Sequence, residues 1–166
     1  MATLSATPSV LDRMPAHARV WVYKSAVAFT PAQLEMLAAR GAAFANSWAA
    51  HGAQLAAAVD VLHDHFVVLA VDETQAGASG CSIDTSVHFI QKLERELGHS
   101  LTDRMVVLYQ KNGQVRVCRA QEVEDLLKSG ELSAETMVFN DMVASVGDLR
   151  ERFQVRLKET WLARYC

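Results

Sequence analysis

No Gly-Lys pair, no CxxC pair and no cluster of Lys and Arg occurs in the 166 residues. The first absence removes the phosphate loop GxxxxGK[ST], whose amides and lysine hold the β- and γ-phosphates of a nucleotide. The second leaves Cys81, Cys118 and Cys166 as an odd, widely spaced set. That set offers no disulfide framework and points to reduced thiols in the cytoplasm. The third, with a net charge of −3, leaves no electrostatic footprint for nucleic acid. The longest apolar run, Phe66–Val71, is far too short to span a bilayer, so no membrane role is expected. The first residues lack a basic start followed by an apolar core and do not read as a secretory signal. Residues 1–17 read instead as a flexible arm rich in small residues. What remains is 51% hydrophobic and 21% charged. That is an ordinary globular composition, expected to fold as one α+β domain over residues 18–166.

Arg19–Lys24 alternates Val20 and Val22 with Trp21 and Tyr23, a strand pattern. Thr30-Pro31-Ala32-Gln33 then has the form of a capping box with proline at the first helical position. Leu34, Leu37, Gly41, Phe44 and Trp48 follow at helical spacing, one buried stripe, with Gly52 expected to stop the helix. Leu55–Val61 alternates as a half-buried strand, and His63-Asp64-His65 makes a polar turn. Phe66–Val71 is apolar on both faces, as a covered central strand requires. A second helix is expected from Ser82 or Asp84, burying Val87, Ile90, Leu93 and Leu97 and ending at Gly98. Asn112-Gly113 centres a hairpin between Met105–Gln110 and Val115–Arg119, because both central residues of a type I′ turn need positive φ. A helix over Gln121–Lys128, a short strand at Met137–Phe139, a helix near Val146–Phe153 and a turn around Trp161 complete the chain.

The order through residue 110 is strand, helix, strand, strand, helix, strand. This predicts a ferredoxin-like split βαβ core, βαββαβ, with an appended β-hairpin, helix and C-terminal tail. In that topology the first helix runs back along strand one, so His51-Gly52 lies where strand two begins. Strand three returns to the same end and releases Asp72-Glu73, a glycine loop and Cys81. Arg19 and Gln110 are expected at that end too. Separated segments converge there by geometry, and the stretch from Asp72 to Asp84 becomes the candidate site.

Several chemistries compete for that stretch. An apolar strand ending in Asp72-Glu73 looks like a Walker B strand, but without a phosphate loop an ATPase lacks its central part. Cys81 near a helix N-terminus is placed for a lowered thiol pKa. His51 is the better base, because His88 is seven helical residues, about 10.5 Å, further along. Asp72, Glu73 and Asp84 make the setting acidic and oppose a thiolate. The competing use of Cys81 is a small residue sealing the helix start, with Ser82 or Asp84 as cap. The same loop can bind without reacting, through Asp72, Glu73, Ser79, Gly80, Ser82 and Asp84. No ligand spacing diagnostic of a metal is present, His63-x-His65 included, and no cofactor is indicated.

Trp21-Val22-Tyr23, Trp48-x-x-His51-Gly52, Asp72-Glu73, Gly77-Ala-Ser-Gly-Cys-Ser-Ile-Asp84, Val138-Phe-Asn140 and Trp161-x-x-Arg164 together span nearly the whole chain. With these strings the chain resembles a little-characterised bacterial family whose members often carry the automatic label ABC transporter ATPase. Ser79–Asp84 is the specific part. The resemblance brings no established activity, and the missing phosphate loop counts against the label. More locally, Tyr109–Phe139 resembles the architecture of GYF-type modules, which bind proline-rich peptides, without their aromatic cluster. Three functions are therefore carried forward. The first is a non-catalytic domain binding a small molecule or protein at the His51/Asp72/Cys81 end. The others are a thiol enzyme or redox-responsive protein using Cys81, and a structural homodimerisation module.

Overall fold

The computed structural model describes residues 9–74 and 76–166. Its strands are β1 (Arg19–Lys24), β2 (Ala49–Ala50), β3 (Ala53–Gln54), β4 (Ala56–Leu62), β5 (Phe66–Asp72), β6 (Val106–Lys111), β7 (Gln114–Arg119), β8 (Met137–Phe139) and β9 (Gln154–Arg156). Its α-helices are α1 (Pro31–Ser47), α2 (Gly80–Leu97), α3 (Val123–Ser129) and α4 (Val146–Arg152). All strand pairing is antiparallel: β1-β5-β4 in a first sheet, β2-β3 in a small hairpin, and β7-β6-β8-β9 in a second sheet. The chain is thus a mixed α+β protein. Residues 1–8 of the expected arm lie outside the described residues. The arm's remainder carries a 3-10 turn, Val10–Arg13, whose Leu11 is buried.

Side-chain alternation explains the layering. Along β5, Val67, Leu69 and Val71 point to one side and join Leu37 of α1 with Ile90, Leu93 and Leu97 of α2. Phe66, Val68 and Ala70 point to the other and meet Val106 and Leu108 of β6, Phe139 and Leu149. The alternate residues of β6, Val107 and Tyr109, face a third cluster with Val123 of α3, Leu157 and Leu162. The order of layers is helices, first sheet, second sheet, then α3 with the C-terminal turns. Strands covered on both faces read as unbroken apolar runs, because successive side chains enter different cores. Each fully buried Val, Leu or Phe there contributes about 1.5–3 kcal/mol relative to exposure.

The expected topology holds for three of its four core strands. β1 and β4 flank β5, joined through α1, which is the split βαβ arrangement. The fourth strand does not lie beside β1. β6 pairs instead with β7 and β8 in the second sheet, where one face meets the first sheet's core and the other meets Val123, Leu157 and Leu162. The free edge of β1 is taken by other segments: Val20 N donates to Ala144 O at 3.0 Å and Lys24 N to Leu101 O at 3.0 Å. Strand order therefore departs from the ferredoxin-like expectation.

Local corrections follow the same logic. α1 keeps its Thr30/Gln33 capping box but ends at Ser47, not Gly52. Trp48 leaves the helix to become buried, and His51-Gly52, both at positive φ, turn the β2–β3 hairpin. α2 starts at Gly80, earlier than expected, since Ser79 and Ser82 cap each other. Its buried stripe is Ser82, Ser86, Ile90, Leu93 and Leu97, while Val87 is 41% exposed. The Asn112-Gly113 turn has positive φ at both residues, as expected.

Candidate functional site

β1 begins, β4 begins and β5 finishes at one end of the first sheet, with Arg19 opposite Val71 and Ala56 opposite Asp72. Trp48, at the end of α1, ties this end together. Its indole Nε1 donates to the Ser82 carbonyl at 2.8 Å, so the first turn of α2 is fastened to the end of α1. Trp21 meets Trp48 edge-on at 5.7 Å, and the Arg19 guanidinium lies 4.6 Å over the Trp21 ring, a cation–π stack. The two tryptophans form a floor that carries Arg19 on top.

The loop after β5 is held by its own carboxylates. Asp72 accepts from both the amide and the hydroxyl of Thr74, and His17 Nε2 lies 3.3 Å from Asp72 Oδ1 and 3.1 Å from Thr74 Oγ1. The Thr74 hydroxyl, then its amide, holds the Asp72 carboxyl below its usual range, with a smaller contribution from His17. Glu73 Oε2 accepts from Ala78 N at 3.1 Å, and its Oε1 lies 3.9 Å from Arg19. A Cβ on Gly77 would sit 3.0 Å from Glu73 Oε2, so glycine leaves room for that carboxylate to cap the loop. Ser79 Oγ accepts from Ser82 N at 3.2 Å, and Ser82 Oγ accepts from Ser79 N at 2.7 Å. Gly80 takes the first helical position with open space around it.

Three of the expected site residues stay outside this internal bonding. His51, Cys81 and Asp84 are all solvent-exposed. Among the described residues, none of their side chains makes a hydrogen bond or ion pair. Cys81 is at the second position of α2, and only its carbonyl is used, accepting from Thr85 Oγ1 at 3.0 Å. Among the described residues no hydrogen bond joins His51 to Cys81. β2, which leads into the His51 turn, does pack against α2.

The structure brings Arg19, Asp72, Glu73 and Ser79–Ser82 together, with the hairpin carrying His51 alongside. Gln110, expected at this end, pairs instead with Val115 in the second sheet. Sequence reasoning missed His17, which fell within the expected flexible arm and belongs to no periodic pattern. His63 and His65 sit at the opposite end of the sheet and meet different neighbours. His65 is buried with Nδ1 2.8 Å from the Ser25 carbonyl, and the His63 ring rests against Phe139 at 4.8 Å. Among the described residues no three His, Cys, Asp or Glu side chains gather to hold a metal ion, and no helix is long and apolar enough to cross a membrane. Set against known proteins, the chain matches no family model, no curated protein and no solved structure.

Proposed function

We propose that this chain is a non-catalytic binding domain, taking a small ligand or protein partner at the end of the first sheet that carries His51, Asp72 and Cys81. One observation carries the reading. Among the described residues, His51, Cys81 and Asp84 keep their polar side-chain atoms free on a frame whose other groups are tied by Trp48–Ser82, Glu73–Ala78 and Asp72–Thr74. Surface groups held in place by a rigid frame lose little freedom when a ligand arrives. Membership of the bacterial family marked by Ser79–Asp84 belongs to the same proposal, as does a cytoplasmic setting in which the free thiols of Cys81, Cys118 and Cys166 stay reduced. The test is a thermal-shift screen of wild type, Asp72→Ala and Glu73→Ala against metabolites and divalent ions. A ligand that stabilises wild type more than either variant supports the reading. If no compound separates them, the structural dimerisation module takes its place.

The exposure of Cys81 in the first turn of an 18-residue helix favours a second reading, a thiol-dependent enzyme or redox-responsive protein. Its test is the pH dependence of iodoacetamide alkylation at Cys81. A midpoint at or above that of an ordinary thiol, about 8.5, eliminates it.

A further inference from the structure

The opposite end of the first sheet holds a cavity that the site above does not use. It opens between the Val10–Arg13 turn, the β4–β5 turn and α4, with a volume of about 320 Å³. Leu11, Leu62, Leu149 and Phe153 supply apolar wall, and His63 and Arg150 border it with polar groups. An apolar cavity of about 150 Å³ holds a benzene-sized molecule, so about twice that volume suits a fused two-ring body. Pockets of this size with an apolar wall and a few polar groups are where small molecules bind.

Arg150 is the charged group there whose position the fold fixes. Its Nη2 donates to the carbonyls of Met14 at 2.9 Å, Leu11 at 3.1 Å and Asp12 at 3.3 Å. Nε and Nη1 have no acceptor among the described residues. A guanidinium anchored through Nη2 keeps Nε–H and the Nη1 hydrogens, and each can donate a single charge-assisted hydrogen bond to a carboxylate. Asp12 and Glu151 also border the cavity. Both are solvent-exposed, and neither is fixed by a hydrogen bond or ion pair among the described residues. Their charge beside Arg150 limits the ligand to a single negative group. His63 adds a flat wall. Its ring lies 4.8 Å from Phe139 and 6.0 Å from Phe153, and burial of that face lowers its pKa, which favours the neutral imidazole.

We propose that this cavity binds small aryl monocarboxylates, with the rings against Leu62, Leu149 and Phe153 and the carboxylate on Arg150. The test titrates the isotope-labelled full chain with naphthaleneacetate, naphthaleneethanol and naphthaleneethylamine and follows backbone amide shifts. The acid should move the amides of Leu62, His63, Leu149 and Phe153 and bind about tenfold more tightly than the alcohol, as a charge-assisted pair requires. The amine should bind most weakly. Arg150→Met should bring the acid down to the alcohol's affinity. Because Arg150 also anchors the Val10–Arg13 turn, Gln154→Trp provides an independent check. It blocks the exposed rim with Arg150 intact and should weaken acid and alcohol alike by about tenfold. The proposal is overturned if the amine binds as tightly as the acid, or if shifts map elsewhere or never appear. Acid affinity unchanged in Arg150→Met, or in Gln154→Trp, overturns it equally.

Discussion

Gly41→Ala should destabilise the protein although alanine is the better helix former. In an exposed helix interior the exchange gains about 1 kcal/mol. Gly41, however, is buried on the face of α1 that packs on β4, and an added Cβ would lie 2.8 Å from Val59 Cγ1 and 3.0 Å from Val59 Cβ. Carbon atoms in contact rest about 3.5–4.0 Å apart, so the gap must open by roughly 0.5–1 Å. Rotating Val59 does not provide that room, because its Cβ is itself too close and its χ1 is stiff. α1 must lift from the strand. Overpacking of this kind costs about 1–3 kcal/mol, which leaves a net loss of about 1 kcal/mol after the propensity gain. Urea denaturation followed by far-UV circular dichroism measures it. Introduced into a Val59→Ala background, the same Gly41→Ala change should cost less than in wild type, since the Cγ1 contact at 2.8 Å is gone while the Cβ contact at 3.0 Å remains. Stabilisation by Gly41→Ala in the wild-type background would refute the close approach of α1 to β4. The consequence reaches the candidate site, because α1 leads directly into Trp48 and the hairpin bearing His51.

Three further outcomes are expected. In native protein at pH 8, iodoacetamide should modify Cys81 and Cys166 and spare Cys118, which is buried with its thiol pushed up to about 11; peptide mapping by mass spectrometry that finds Cys118 alkylated at a similar rate would contradict its placement. His63 has its pKa lowered by burial, so the unfolded chain takes up the proton first. Stability should therefore be unaffected by this group above about pH 6.5 and fall as the pH drops from there toward its folded value. His63 sits at a φ of +53°, which asparagine tolerates, so His63→Asn should remove that part of the slope in thermal melts across about pH 5–8. Glu131 is held below its usual range by hydrogen bonds from Lys111 and then Tyr109, so its contribution is present above the ordinary pKa of 4.5 and lost as the pH falls through the lower folded value. Glu131→Gln should lower the urea midpoint at neutral pH and flatten the loss on acidification. An acid limb identical to wild type would refute the Glu131 assignment.

The fold was legible where local chemistry decides structure. Thr30-Pro31-Ala32-Gln33 is a complete helix start written in four residues, and Asn112-Gly113 is a complete turn. The central strand β5 was legible because its two faces enter two cores, which leaves an unbroken apolar run. That same signal concealed the topology. β6 is also apolar on both faces, and a run of this kind shows that a strand is covered without showing which sheet covers it. The helix α2 begins ahead of its apolar periodicity because its buried stripe starts with Ser82 and Ser86, small polar residues that periodicity counts as solvent-facing. They are buried because Ser82 is occupied by its cap with Ser79 and Ser86 Oγ donates to the Ile83 carbonyl.

The two ends of the first sheet differ in legibility for a related reason. At one end Asp72, Glu73, Gly77, Ser79, Gly80 and Cys81 are near neighbours along the chain, and their unusual density alone marks the stretch. Even there, the tryptophan floor beneath Arg19 joins Trp21 to Trp48, the bond from Trp48 to Ser82 joins positions 34 residues apart, and only the packed sheet shows that the loop is fastened. At the other end the cavity is assembled from Leu11, Leu62, Leu149, Arg150 and Phe153. Each alone reads as core or as a solvated charge, and nothing in the spacing links them. Arg150 acquires its meaning from three carbonyls about 136–139 positions away. A cavity enclosed by elements that meet late in the chain has no local signature, so its chemistry becomes readable only once the fold has placed an anchored cation beside an apolar wall.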